Sequence, residues 1–275
     1  MIYIHIKMIY SYKRGENMGK CIAVANQKGG VGKTTTSVNL SSCLAAYGKK
    51  VLLVDTDPQG NASSGVGIMK ENIEKSVYDV IINGEDLSSV IVQTDYHNLS
   101  LCPSNINLAG AEIELVAENR REYLLKDAIA KVKDNYDYII VDCPPSLSLL
   151  TLNSFVCADS IIIPIQCEYY ALEGLSQLTN TIKKVKAAFN PELELEGVLL
   201  TMYDTRTNLS SQVAREVKKY YGPKLYKSVI PRNVRLSEAP SFGQPINIYD
   251  KSSKGSTSYM NLAAEVIKAN KRGDT

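Results

Sequence analysis

The chain has 275 residues, of which 44% are hydrophobic and 22% are charged, and its formal net charge is +2 at pH 7. A chain of this length can bury one substantial core, and we expect a single domain. It contains no apolar run close to the roughly 20 residues that a membrane-spanning helix needs, which argues against a protein that crosses the bilayer.

Two features of the sequence bear on compartment and boundaries. The six cysteines lie far apart without a C-x-x-C pair, which argues against a zinc site or a disulfide scaffold and favours a reduced, cytoplasmic compartment. Residues 1–17 match no element pattern, and their alternating first ten residues lack the apolar centre of a signal peptide. We expect a disordered tail or a mis-assigned start there, with an extra edge strand as the alternative, and one domain over residues 18–275.

Short apolar runs alternate with amphipathic segments along the chain, as in a doubly wound, mostly parallel α/β sheet with crossover helices. The predicted strands are Cys21–Ala25, Lys50–Val54, Leu99–Cys102, Asp137–Val141, Ser160–Ile165, Glu196–Met202 and Leu225–Ile230. The predicted helices are Lys33–Tyr47, Arg121–Asn135, Leu147–Cys157, Leu172–Phe189 and Leu209–Tyr221.

Positive charge is concentrated toward the carboxyl end. Residues 204–275 hold 13 Lys and Arg against 6 Asp and Glu, a net +7, whereas residues 1–203 hold 18 against 23, a net −5. This basic quarter is a candidate surface for a polyanion. The alternative is that solvated helices carry these charges for solubility.

A glycine-rich octapeptide follows the first predicted strand and precedes the first helix. It consists of Lys28, Gly29, Gly30, Val31, Gly32, Lys33, Thr34 and Thr35. Glycines let backbone N–H groups surround phosphate oxygens, and the helix start favours negative charge. In this context Lys33 is predicted to contact the β- and γ-phosphates and Thr34 to ligate Mg²⁺. Gln27 stands where the usual motif has its first glycine, so this is a deviant P-loop with an extra lysine, Lys28.

Two acidic segments complete the predicted centre. Asp55 and Asp57 follow the strand that ends at Val54, and Asp142 follows the strand that ends at Val141. In α/β proteins ligands bind at the carboxyl ends of strands. Because Mg²⁺ takes oxygen ligands and keeps several waters, a Thr hydroxyl, the phosphates and an Asp acting through water suffice. An Asp after a strand is otherwise a turn or a helix cap.

These motifs resemble the ParA/Soj family of DNA-partitioning ATPases over roughly residues 18–270. The octapeptide and the segments Val51–Asn61 and Asp142–Ser146 are also shared with MinD and the nitrogenase iron protein. The segments Gln166–Gly174 and Pro231–Ser241 are more specific to the chromosomal ParA/Soj branch. The resemblance implies a P-loop ATPase domain with ATP and Mg²⁺ as cofactors.

The resemblance also implies roles for individual residues. Lys28 is expected to reach the phosphates of a partner across a nucleotide-sandwich homodimer, and Gly29 to allow that close approach. Asp57 is expected to activate the attacking water, and Asp142 to support Mg²⁺. Charge stabilisation and positioning dominate phosphoryl transfer, so a lysine from the partner is a sensible device.

The carboxyl-terminal matches concern the base and DNA. The resemblance places Pro231 and Asn233 beside the adenine, and assigns Arg206 and Arg235 to non-specific DNA binding. Both arginines fall within the basic quarter; the alternative is that they make internal salt bridges. The implied protein is a slow ATPase, stimulated by a ParB-type DNA-binding partner, in the cytoplasm on the nucleoid.

Two other functions share part of the pattern. A MinD-like membrane-organising ATPase would carry an amphipathic terminal helix for lipid. In residues 256–271 the stripe of Tyr259, Leu262, Ala263, Val266 and Ile267 is more typical of a packed core face. A reductase like the nitrogenase iron protein would hold an iron–sulfur cluster between subunits, for which Cys102 and Cys143 are the candidates.

Overall fold

A computed structural model describes residues 19–168 and 171–271 of the chain. The predictions for residues 1–17 and for the two tyrosines at 169–170 lie outside the described residues. The single-domain prediction for residues 18–275 stays a prediction.

Seven strands of the described residues form one sheet in the order β3-β4-β2-β5-β1-β6-β7. Every neighbouring pair is parallel except β3 and β4. The strands are β1 (Lys20–Val24), β2 (Val51–Asp55), β3 (Val92–Gln93), β4 (Leu99–Cys102), β5 (Tyr138–Asp142), β6 (Ser160–Gln166) and β7 (Glu194–Thr201). The predicted doubly wound, mostly parallel α/β fold is confirmed.

Helices cover both faces of the sheet, which is why the central strands are apolar on both sides. The helices are α1 (Lys33–Ala46), α2 (Asn61–Gly65), α3 (Val77–Ile81), α4 (Leu87–Val90), α5 (Ala111–Glu114), α6 (Leu124–Ala130), α7 (Leu149–Cys157), α8 (Ala171–Ala188), α9 (Asn208–Tyr221), α10 (Val234–Glu238), α11 (Ile246–Tyr249) and α12 (Lys254–Asn270). One core lies beneath α1 and α12, and the other lies beneath α6, α7 and α8.

Helix α12 buries its apolar stripe against the sheet and α1. Tyr259, Leu262, Ala263 and Val266 are all buried, and Ile267 packs at the edge of the same cluster. This confirms the interpretation of the stripe as a core face. Within residues 19–168 and 171–271, no helix has both the length and the apolar character needed to pass through a bilayer.

The prediction of a strand at Leu225–Ile230 is wrong. Single hydrogen bonds tie this segment to β7, from the N–H of Tyr226 to the carbonyl of Val198 (3.0 Å) and from that of Ile230 to the carbonyl of Leu200 (2.9 Å). Between them, two successive amides, those of Lys227 and Ser228, donate instead to the Glu265 carboxylate of α12. Since these amides bond to a side chain, a regular ladder does not form.

The helix predicted at Arg121–Asn135 is shorter than expected. It divides into α6 and a 3-10 turn at Lys133–Asn135. The Asn153 side chain explains the late start, because its amide nitrogen donates to the Arg121 carbonyl (2.8 Å) and its oxygen accepts from the Leu125 N–H (3.2 Å). Asn153 therefore satisfies backbone groups that a longer helix would have paired internally.

The order of the strands brings the predicted site together. In the sheet register, Asp142 on β5 lies opposite Val24 on β1 and opposite Asp55 on β2. The three strands end at the same edge, so the loops that follow them meet there.

Candidate active site

The glycine-rich loop joins β1 to α1, between a strand and a helix. Gly30 and Gly32 have φ values of +73° and +87°, a region that side chains rarely adopt. The loop is held from outside by two side chains. Thr201 donates to the carbonyl of Val31 (2.8 Å), and the Asn26 oxygen accepts from the N–H of Lys28 (3.0 Å). The loop is thus fixed before any ligand arrives.

Lys33 is the buried cation of the loop. Its residue is 6% exposed, and its Nζ donates to the carbonyl of Lys28 (3.0 Å). Burial lowers the pKa of Lys33, while the nearby carboxylates of Asp142 and Asp57 act in the opposite direction. A buried ammonium whose hydrogen-bond partner is a neutral carbonyl is well suited to bind phosphate oxygens.

Asp142 and Thr34, the two predicted Mg²⁺ residues, lie in direct contact. The Thr34 hydroxyl donates to one carboxylate oxygen of Asp142 (2.8 Å), and the Ser37 hydroxyl donates to the other (2.7 Å). Asp142 is fully buried, and burial together with the charge of Asp55 raises its pKa well above the ordinary value. A hydroxyl and a carboxylate side by side form an oxygen donor set of the type that Mg²⁺ prefers.

The two carboxylates after β2 have different environments. Both oxygens of Asp55 are engaged, one by the N–H of Asp57 (3.2 Å) and the other by the N–H and hydroxyl of Ser63 (2.8 Å each). Asp57 is 8% exposed, against 0% for Asp55, and its Oδ1 accepts from the N–H of Gln59 (3.0 Å). Asp55 therefore organises the start of α2, and Asp57 is the more accessible of the pair.

A cavity of about 430 Å³ adjoins the loop on the side of the carboxyl-terminal segment. Its walls include Gly32 and Thr35 on one side and Pro231, Asn233 and Tyr259 on the other. The Asn233 oxygen accepts from the N–H of Arg235 (2.8 Å) and caps α10, which leaves the amide NH₂ group to donate. The cavity has the size and the mixed lining of a pocket for a heterocyclic base.

Lys28 extends away from the loop to the surface. Its ammonium pairs with the carboxylate of Glu168, which follows β6, and the two side chains are 47% and 44% exposed. A Cβ placed on the neighbouring Gly29 would meet no atom within 4 Å. Packing within one chain therefore does not explain why glycine occupies this position.

Arg206 and Arg235 each make the internal ion pairs that were the alternative to DNA contact. Arg206 Nη2 lies 2.7 Å from Asp204 Oδ2, and Arg235 Nη1 lies 2.8 Å from Glu238 Oε2. Both side chains nevertheless remain exposed, at 84% and 54% respectively. The Arg206–Asp204 pair is bidentate, through Nε and Nη2, and the Asp204 side chain is 20% exposed, so it is the better ordered of the two pairs. The ion pairs and an open surface coexist at both positions.

The cysteines proposed for a cluster do not face a partner surface. Cys102 and Cys143 are both 0% exposed, and burial raises the pKa of each thiol, Asp55 and Asp142 respectively adding to the effect. An iron–sulfur cluster shared between subunits requires accessible thiolates. This geometry argues against the reductase alternative.

Several residues of the site are not predicted by any motif of the sequence. Ser37, Ser63, Asn26 and Thr201 hold the loop and the carboxylates, yet they belong to no motif that was singled out. For Ser37 a signal was present, since it lies one turn after Lys33 and so on the same face of α1. For Thr201, 170 residues from its partner Val31, nothing in the sequence indicated the contact.

A family model described as an AAA domain matches residues 19–195, a range that contains the loop, Asp57 and Asp142. The chain is 61% identical over 249 residues to the sporulation initiation inhibitor protein Soj of Bacillus subtilis (strain 168), covering 90% of this chain and 98% of that protein. It is 51% identical over 262 residues to the chromosome partitioning protein ParA of Myxococcus xanthus (strain DK1622), covering 94% and 93% respectively.

Two solved structures are similar over most of the chain. Cobyrinic acid a,c-diamide synthase from Mycobacterium smegmatis with bound ADP and magnesium has a TM-score of 0.81 at 39% identity, covering 93% of this chain and 97% of that one. The cell division ATPase MinD from Pyrococcus furiosus has a TM-score of 0.77 at 26% identity, covering 92% and 100%.

Proposed function

Because the chain belongs to the ParA/Soj family of chromosome-partitioning ATPases, we propose that ATP joins two copies of it into a dimer that binds DNA without sequence preference. The protein binds ATP and Mg²⁺, hydrolyses ATP and acts in chromosome partitioning. The proposal adds the dimer, the DNA contact and a ParB-type partner that stimulates a slow hydrolysis.

The loop residues fit a nucleoside triphosphate with Mg²⁺. The positive-φ glycines let the backbone curl so that its N–H groups can surround phosphate oxygens, and Lys33 offers a buried cation in the same loop. Thr34 and Asp142 offer adjacent oxygens for the metal ion, with Asp142 acting through water. Bound ATP with Mg²⁺ supplies the phosphoryl group that is transferred to water. The pocket beside Pro231 and Asn233 takes the adenine.

Asp57 is assigned to the attacking water. It lies on the same sheet edge as Asp142 and is less buried than Asp55, whose two oxygens already accept hydrogen bonds from Asp57 and Ser63. A carboxylate oxygen beside the phosphate site can accept a proton from water and orient its lone pair. Positioning of this kind, with charge stabilisation, is the main catalytic device in phosphoryl transfer.

The proposal of a dimer rests on the positions of Lys28 and Gly29. Lys28 belongs to the phosphate loop, but its ammonium points to the surface at Glu168 instead of into its own loop. Gly29 presents bare backbone with open space above it. A second copy placed face to face could therefore bring its phosphates against the Gly29 backbone and within reach of Lys28. This arrangement makes dimerisation depend on ATP.

The DNA contact rests on charge and exposure. Residues 204–275 carry a net charge of +7. Within this range, 84% of the Arg206 side chain and 54% of the Arg235 side chain are exposed. A guanidinium group binds phosphate with the same forked geometry that it uses for a carboxylate, so either arginine can exchange its carboxylate partner for a phosphate. A dimer doubles every contact, so a chain with a net charge of only +2 binds DNA usefully when ATP is present.

Sedimentation velocity with and without ATP, on DNA and off it, tests the proposal. The expected result is a monomer without ATP, a dimer with ATP, and comigration of only the dimer with DNA of any sequence. Addition of a ParB-type protein should raise phosphate release. A monomer that persists at saturating ATP, or DNA binding that does not depend on ATP, would contradict the proposal.

A further inference from the structure

The ion pair between Lys28 and Glu168 joins residues that are 140 positions apart in sequence. Both partners are anchored at the carboxyl end of β6. The Asn26 side chain donates to the carbonyl of Pro164 on β6 (2.7 Å) and accepts from the N–H of Lys28 (3.0 Å). The carbonyl of Glu168 accepts from the N–H of Ala171, where α8 begins (3.0 Å). The pair is thus built on two fixed backbones.

The ammonium of Lys28 could bind either the phosphates held by its own loop or those held by a second copy of the chain. Lys28 lies in the same loop as Lys33, whose Nζ bonds the carbonyl of Lys28 itself. Its side chain has four flexible carbons, and its ammonium is attracted to the nearest anion. Without a restraint, the nearest anion would be the phosphate group bound by its own loop. A lysine that contacts the phosphates of a second copy therefore has to be kept away from the phosphates bound by its own loop.

Glu168 provides such a restraint. The Lys28 ammonium has three N–H donors, so a bond to Glu168 leaves two for phosphate oxygens. Because the side chain is already ordered at the surface, less rotamer entropy is lost when the partner arrives.

We propose that Glu168 is a positioning residue that holds the Lys28 ammonium off its own loop and presents it to the phosphates of a second copy. Glu168 touches no reacting atom and acts through Lys28. The inference rests on the proposed function, because the contact in trans is part of that proposal.

The test compares Glu168→Gln, which keeps the shape and removes the charge, with the matched control Glu173→Gln. The Glu173 carboxylate is exposed on α8 and contacts Gln177 (3.3 Å). Dimer dissociation constants are measured by sedimentation equilibrium with Mg²⁺ and a non-hydrolysable ATP analogue. Nucleotide affinity is measured with a fluorescent ATP analogue at protein concentrations that keep the chain monomeric.

The dimer dissociation constant of Glu168→Gln is expected to rise roughly tenfold. Two exposed ion pairs are lost per dimer, and each one changes the constant by about a factor of three. Monomer nucleotide affinity should not fall in Glu168→Gln and should rise if the released Lys28 reaches its own phosphates, while the melting temperature stays near the parental value. Glu173→Gln should behave as the parent. Glu168→Asp, which keeps the charge, should dimerise better than Glu168→Gln. The double variant Lys28→Ala/Glu168→Gln should be no weaker than Lys28→Ala alone, because Glu168 acts through Lys28.

Four results would overturn the inference. A parental dimer constant in Glu168→Gln would show that the pair is incidental, and a tighter dimer would show that Glu168 restrains Lys28 against the partner. A lower melting temperature without rescue by Glu168→Asp would show a structural role. Lys28→Ala distinguishes a failure of the proposed dimer contact from a failure of the role given to Glu168. If Lys28→Ala dimerises normally, the contact in trans fails and the inference fails with it; if it does not, a parental Glu168→Gln refutes only the inference.

Discussion

Substitution of the two loop lysines separates nucleotide binding from dimerisation. Lys33 is buried beside Asp142 and Asp57, whereas Lys28 is nearly half exposed and paired with Glu168. Lys33→Ala is therefore expected to lose nucleotide binding. Lys28→Ala is expected to bind ATP but to lose the dimer and hydrolysis, with a cost to folding of less than about 1 kcal/mol, the typical worth of an exposed pair.

The magnitude for Lys28→Ala follows from the symmetry of a dimer. A charge-assisted hydrogen bond contributes about 1.5–3 kcal/mol, and two such contacts are lost per dimer. The dimer constant should thus weaken by roughly 10²- to 10⁴-fold. Sedimentation equilibrium with a non-hydrolysable ATP analogue gives the dimer constant, and fluorescent-nucleotide titration gives the affinity of the monomer. Equal loss of nucleotide affinity in the two variants would refute the assignment of Lys28 to the partner's phosphates.

Three further predictions concern catalysis, DNA and pH. Asp57→Ala should dimerise with ATP and accumulate on DNA, with phosphate release reduced about 10²-fold or more; turnover at the parental rate would place the water-orienting group elsewhere. Arg235→Ala should weaken binding to any DNA sequence and should reduce the salt dependence of the DNA affinity by roughly one to two contacts per dimer. The control is Arg120→Ala, which should change neither property. Arg120 is an exposed arginine that pairs with Asp127 outside the basic quarter. If Arg235→Ala fails to dimerise, the residue is structural. Burial raises the pKa of Asp55 to about 6 and that of Asp142 to about 8, so the folded, nucleotide-free and metal-free protein binds more protons than the unfolded chain between about pH 4 and pH 8. Its free energy of unfolding should consequently fall by several kcal/mol as the pH rises across that range. Asp142→Asn should flatten the fall. Urea denaturation in EDTA at several pH values measures this, and a stability that rises with pH would contradict it.

The sequence predicts the central strands and the phosphate loop because their signals are local. Strands such as β2 and β5 are buried on both faces and read as continuous apolar runs ending in an aspartate. Gly30 and Gly32 occupy the positive-φ positions of the loop between a strand and a helix. Neighbouring strands then bring Asp55 and Asp142 side by side without further information.

Other features depend on contacts that no local pattern encodes. The segment Leu225–Ile230 has the composition of a strand, but Glu265, far along the chain, takes the amides that would have formed the ladder. Asn153 shortens α6 in the same manner. The Lys28–Glu168 pair also escapes prediction, because it requires the carboxyl ends of β1 and β6 to be neighbours.

The burial of charge separates the two lysines of the loop and accounts for the different tasks proposed for them. Desolvation lowers the pKa of Lys33 and raises that of Asp142, so the charged form of each is disfavoured where it lies. Phosphate oxygens beside Lys33 and a metal ion beside Asp142 bring the opposite charge to each, and a ligand that binds only the folded chain stabilises it by mass action. Lys28 stays in contact with solvent and contributes nothing to this balance within one chain. ATP with Mg²⁺ should therefore raise the melting temperatures of Lys28→Ala and of the parent equally at monomeric concentrations, although the variant is expected not to dimerise. A variant that gained no thermal stability from ATP would show that Lys28 also binds its own nucleotide.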